Sequence, residues 1–143
     1  MSSATAKADY QKGLDAYNAG DYATAMKEWR PLAEQGNADA QYNLGFMNSN
    51  GNGVPQDDVE AMKWYRLAAD QGYARAQAGL GFMYYNGDGV PEDYVEAYKW
   101  WNLAAAQGYA DAKSNKEIVE KKMTRQQIAE GQRLSREWFN EHQ

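Results

Sequence analysis

The chain has 143 residues, 20 acidic and 15 basic side chains, one histidine and no cysteine. Lack of cysteine excludes a disulfide framework, a zinc knuckle and a thiol nucleophile. The lone His142 is expected to fray with the chain end, which leaves no Ser-His-Asp, Cys-His or multi-His metal chemistry. A net charge of −5 lacks the basic footprint of a nucleic-acid binder, and no apolar run approaches the ~18 residues of a transmembrane helix.

In chain order, the first expected element is a short unit over residues 8–36. Ala25-Met26-Lys27 lies 36 residues before Ala61-Met62-Lys63, whereas Gly13 lies only 32 before Gly45. The missing residues fall in a loop, where Asn18-Ala19-Gly20-Asp21 replaces the longer Asn50-to-Asp57 connection. Two full units follow, 37–72 and 73–108, and 23 of their 36 positions are identical. Gly36, Gly72 and Gly108 each follow a glutamine at this spacing. A period of this length is the mark of a solenoid whose stacked units share one continuous core.

Within each full unit the spacing predicts two helices. The first, 38–49 or 74–85, carries Ala40, Leu44 and Met47, or Ala76, Leu80 and Met83, on one face. Gly45 and Gly81 fall mid-helix at a cost of about 1 kcal/mol relative to alanine, which close approach of the paired helix would offset. The segment Asn50-Gly51-Asn52-Gly53-Val54-Pro55 is turn chemistry, and Asp57 or Asp58 is placed to cap the next helix. The second helix, 58–71 or 94–107, aligns Ala61, Trp64, Tyr65 and Ala68, and Gly72 and Gly108 take the left-handed position after it. Trp64, Trp100 and Trp101 are expected in the packing.

Residues 109–143 form a partial fourth unit. A first helix is expected over 111–122, and Thr124 with Gln127 makes a capping box for another. Ile128, Leu134 or Gln132, Trp138 and Phe139 supply a loose apolar stripe for a C-terminal cap. Charge changes sign here: residues 1–112 carry 8 basic and 15 acidic groups, residues 113–143 carry 7 and 5. Membrane-surface or partner binding by this last helix is the alternative to capping.

The pattern A-x-A-x-x-x-L-G, G-x-G-V-P-x-D, A-x-K-W and A-A-x-Q-G closely resembles the Sel-one-like repeat family, relatives of the tetratricopeptide repeats. It runs through Ala38-x-Ala40, Leu44-Gly45, Gly51-x-Gly53-Val54-Pro55, Lys63-Trp64 and Gln71-Gly72, and again one period later. The resemblance covers residues 8–112, with Gly20-Asp21-Tyr22 closer to a plain tetratricopeptide unit and Asn48 departing from the tyrosine found at Tyr84. It implies an all-α, right-handed α-solenoid of antiparallel helix pairs, with about three repeats plus C-terminal capping helices. The implied role is a non-catalytic protein–protein interaction scaffold or adaptor, bacterial, with the first helix of each pair lining a concave groove.

Carried onto this sequence, the groove-facing positions are Lys7, Tyr10, Leu14, Tyr17 and Asn18 in unit one. Asp39, Tyr42, Phe46, Ser49 and Asn50 follow in unit two, and Arg75, Ala78, Phe82, Tyr85 and Asn86 in unit three. Spacings of three and four keep them on one stripe, and aromatic anchors with a polar rim suit peptide binding. Asparagine amides offer a peptide backbone both a donor and an acceptor. Phe46 and Phe82 are also compatible with filling space between repeats. Tyr42 and Tyr85 stand opposite Ala78 and Ser49 in the register, so the fold does not demand them. A groove of about 20–30 Å, from repeats roughly 10 Å apart, holds an extended peptide of about seven to nine residues.

No cofactor, metal or catalytic residue is expected. The Asn48–Val59 loop resembles a calcium loop but ends in valine where the closing carboxylate belongs. Gly51-x-Gly53 opens no phosphate-binding helix of a βαβ unit, and Asp57/Asp58 and Glu92/Asp93 sit where helix caps are needed. A cell-wall or β-lactam hydrolase is the enzymatic rival, and it finds no catalytic constellation. A monomer is expected; a self-assembling or engineered repeat protein is the other reading. The N-terminus lacks the apolar region of a signal peptide, which points to the cytoplasm. Ala4-Thr5-Ala6 resembles the tail of a cleavage site, and a removed signal would point to the periplasm or export.

Overall fold

The computed structural model describes residues 8–143. Among them are eight helices and no strands: α1 Tyr10–Asn18, α2 Tyr22–Glu34, α3 Ala38–Asn50, α4 Asp58–Asp70, α5 Ala74–Asn86, α6 Tyr94–Ala106, α7 Ala110–Glu120 and α8 Arg125–Glu141. Successive helices pack in pairs, α1 with α2, α3 with α4 and α5 with α6, and each pair leans on the next through α2–α3, α4–α5 and α6–α7. The expected all-α solenoid of helix pairs is therefore the observed one. Lys7, assigned to the groove, and Ala4-Thr5-Ala6 lie outside the described residues.

Local chemistry explains the boundaries. Asp21, Asn37, Asp57 and Asp93 each accept from a backbone N–H three residues on, at 2.9–3.2 Å, as N-caps do. Gly51 and Gly87 end α3 and α5 in the left-handed region, at φ 70° and 75°, a conformation that excludes most side chains. The connection then folds back on its helix: the Asp57 N–H donates to Asn48 O at 2.8 Å and the Asp93 N–H to Tyr84 O at 2.9 Å.

The mid-helix glycines admit a ring from the paired helix. One position of the second helix, occupied by Trp29, Tyr65 and Trp101, lies over Gly13, Gly45 and Gly81 respectively. A methyl group on Gly81 would come within 2.7 Å of three atoms of the Trp101 indole, and one on Gly45 within 2.8 Å of two atoms of Tyr65. Trp101 Nε1 donates to Ala78 O at 3.1 Å, and Trp29 Nε1 to Tyr10 O at 3.1 Å, so each indole is locked across the pair. Trp64 and Trp100 are buried as expected, and both indole N–H groups lack an acceptor among the described residues.

Glutamines stitch one pair to the next. Gln77 Nε2 donates to Ala69 O at 3.2 Å, and Gln107 Nε2 reaches both Gln77 Oε1 at 3.0 Å and Gly72 O at 2.8 Å. One repeat earlier Gln41 and Gln71 make the same bonds to Ala33 O, Gly36 O and each other. The next equivalent of Gln41 and Gln77 is Lys113, which is exposed. A buried amide would be needed to extend the ladder, so the ladder stops there.

The solenoid ends differently from how it propagates. α8 packs on α6, and its Thr124–Gln127 capping box is present. Its inward residues are Ile128, Gly131, Ser135 and Trp138, where Gly131 sits against Tyr98 and Trp138 meets Trp100 edge-on at 6.1 Å. The expected stripe holds at Ile128, Leu134 and Trp138, which are half-buried, and is corrected at its edge: Phe139 is 58% exposed and Gln132 is exposed, although its amide reaches Tyr98 OH at 3.4 Å. Between those apolar residues the face uses small ones, Gly131 and Ser135, which an apolar count passes over. Among the described residues no helix is long and apolar enough to cross a membrane.

Candidate partner-binding groove

The first helices of the pairs present one face in common. Phe46 and Phe82 occupy the same register on α3 and α5, and they are 39% and 50% exposed. Ile118, the next equivalent on α7, is 50% exposed. Core packing would have buried them, so this row is a surface feature that the repeat renews every 36 residues.

Six of the fifteen expected groove positions come together in a single cleft. Leu14, Tyr17 and Asn18 from α1, Tyr42 and Phe46 from α3 and Arg75 from α5 enclose about 240 Å³, with Trp29 and Asn43 completing the wall. The walls are rigid because the rings support one another. Tyr10 and Tyr17 lie 5.7 and 5.8 Å from Trp29, and Tyr42 lies 5.5 Å from both Tyr65 and Tyr73. Hydroxyls are also held: Asn43 Nδ2 donates to Tyr10 OH at 3.0 Å, and Asn52 Nδ2 to Tyr17 OH at 3.3 Å.

Burial also shapes the phenols at and beside the cleft. Burial, then the nearby Tyr109, raises the Tyr42 phenol above its ordinary pKa, and Arg75 opposes the shift. Burial and a hydrogen bond to Asp39 do the same for Tyr73. These phenols stay neutral through physiological pH and act as hydrogen-bonding rings. Asp39 itself is exposed at the edge beside Tyr73.

The remaining expected residues are placed apart from the cleft. Phe82 meets Trp101 edge-on at 5.5 Å, and Tyr85 stacks on Tyr94 at 5.3 Å with the Lys122 ammonium 5.1 Å from its ring. Asn86 is exposed. Asn50 donates to Phe46 O on its own helix at 3.1 Å, which occupies part of the amide expected to meet a backbone.

Several residues of this face were missed by the sequence reading. Tyr73 and Tyr109 stand at N-cap positions, where they make no side-chain cap bond; tyrosine where Asn37 caps was the available signal. Ile118 and Lys122 follow from carrying the register into the fourth unit, where Glu117 replaces the glycine and conceals it.

The Sel1 repeat family model matches residues 38–73 and 74–109. Among solved structures, a protective antigen of uropathogenic Escherichia coli strains displaying an SLR fold is 34% identical, with a TM-score of 0.87 over 91% of this chain and 29% of that one. A Sel1 repeat protein from Oxalobacter formigenes is 35% identical, with a TM-score of 0.75 over 78% of this chain and 46% of the other. This chain thus spans less than half the length of either relative. No curated protein matches the sequence.

Proposed function

The chain belongs to the Sel1 repeat family, whose fold typically mediates protein–protein contacts, and from that premise we propose that it is a non-catalytic scaffold binding an extended peptide segment along the face of α1, α3, α5 and α7. Units 8–36, 37–72, 73–108 and 109–143 act in this reading as one repeat domain. The observation that carries it is the exposed Phe46, Phe82 and Ile118 row leading into the aromatic cleft. Exposed apolar groups that recur in register and adjoin a concave aromatic pocket are the anatomy of an interface, with anchors at the centre and a polar rim. Asn18, Asn43, Asn50 and Asn86 supply that rim.

Phe46→Ala combined with Phe82→Ala removes two exposed rings and is expected to leave the helical spectrum unchanged. In affinity capture from bacterial lysate, a protein retained by the parent and by Leu67→Ala on the opposite helix row should be lost by the double variant, by about tenfold or more. Equal retention by all three proteins contradicts the groove reading and moves attention to the exposed Phe139 on α8. A chain that self-associates through that outer face would show a concentration-dependent mass in light scattering, which the double variant leaves unchanged.

A further inference from the structure

The cleft between α1 and α3 has one charged residue in its wall, Arg75. Among the described residues its guanidinium has no carboxylate within salt-bridge distance, unlike Arg133, which is paired with Glu130 and Glu137. The rest of the wall is aromatic or amide, and the volume of about 240 Å³ suits one bulky side chain. An unpaired cation on the rim of an apolar pocket is complementary to an anion next to an apolar group. The end of α5 adds to this, because Tyr73 gives it no side-chain cap and its positive pole lies in the turn that bears Arg75. Further along the same face Lys122 lies over Tyr85 and is exposed, whereas the next equivalent of Arg75 is the exposed Asp111 and the chain as a whole is acidic, at −5. That bulk charge is screened beyond about 8 Å at physiological salt, and the local cation decides.

Resting on the groove reading, we propose that the partner segment carries a bulky apolar side chain seated between Tyr17, Tyr42 and Phe46, with an adjacent Asp or Glu side chain on Arg75. A guanidinium–carboxylate pair fixes the register of the segment, with the apolar group between α1 and α3 and the carboxylate toward α5. Arg75 then supplies selectivity among apolar peptides, and the rings supply most of the affinity.

Selection from a phage-displayed library of random octapeptides tests this, since fusion removes the free C-terminal carboxylate and leaves acidity to side chains. Enriched sequences should pair Leu, Ile, Phe or Trp with a neighbouring Asp or Glu. A synthetic, amidated winner should bind Arg75→Gln on the order of tenfold more weakly, with affinity falling as salt rises. Arg75→Glu should recover binding when the peptide's acid is changed to lysine. Arg75 is exposed, so both variants should melt with the parent. Winners that need Phe46 but carry no acid, or that bind Arg75→Gln equally well, would overturn the acidic-segment proposal and leave the groove reading intact. Winners indifferent to both Phe46→Ala and Arg75→Gln would defeat both.

Discussion

Trp101→Ala is expected to lower the unfolding free energy by about 3–5 kcal/mol, as loss of a fully buried indole does. Trp101 is 2% exposed, spans α5 and α6 through its bond to Ala78 O, and lies in the space left by Gly81. The more discriminating result concerns the glycine. In an open helix Gly→Ala gains about 1 kcal/mol; here Gly81→Ala should cost about 1–3 kcal/mol, because the methyl overlaps a ring that is held on both sides. In the Trp101→Ala background the same change should stabilise, giving a coupling of at least ~1 kcal/mol. Urea unfolding followed by circular dichroism measures all four corners of the cycle. Stabilisation of the parent by Gly81→Ala would show that the glycine is not there for the ring.

Ending the chain after Met123 is expected to be the second large loss. α8 covers Tyr98 and Trp100, which are 2% and 1% exposed in the intact fold, and full burial of a large apolar side chain contributes roughly 1.5–3 kcal/mol. Partial uncovering of the two should cost about 2–4 kcal/mol. It also leaves an apolar end on the stack, which repeat proteins cover with an atypical unit. Melting temperature should fall, and light scattering should show association that rises with concentration. Gly131→Leu keeps every other residue and should act in the same direction, since even a methyl there would come as close as 2.5 Å to Tyr98. A truncated chain that melts like the parent and remains monomeric would remove the capping role from α8.

Much of the architecture was legible because the sequence states it twice. Once 37–72 and 73–108 were aligned, Ala40, Leu44, Met47 and their partners fixed the core faces, and Gly51-x-Gly53-Val54-Pro55 fixed the turns. Asn48, where the family pattern has tyrosine, proved to be a buried residue whose amide bonds Leu44 O at 2.9 Å, so that packing is replaced by a hydrogen bond. The capping helix was legible as a helix but not in its facing, because Gly131 and Ser135 contact α6 through close approach, which hydropathy does not register. Of the expected groove positions, Leu14, Tyr17, Asn18, Tyr42, Phe46 and Arg75 share one cleft, and Phe46 and Phe82 stand exposed in the same register. What periodicity could not supply was the gathering of the expected Arg75 with residues of α1 and α3 into one cleft, or the contributions of Tyr73 and Tyr109, which depend on how three repeats curve together. The separation of Tyr85 and Asn86 from that cleft has the same origin.

Photo-crosslinking from the two faces tests the central claim most directly. Benzoylphenylalanine placed at Phe46 or Phe82 should capture the retained partner, whereas the same group at Leu67 or Phe139 should not; all four side chains are exposed, at 39–58%. Crosslinks confined to positions 46 and 82 are the result the groove account predicts. Crosslinks confined to 67 and 139 would place recognition on the outer helices and contradict it.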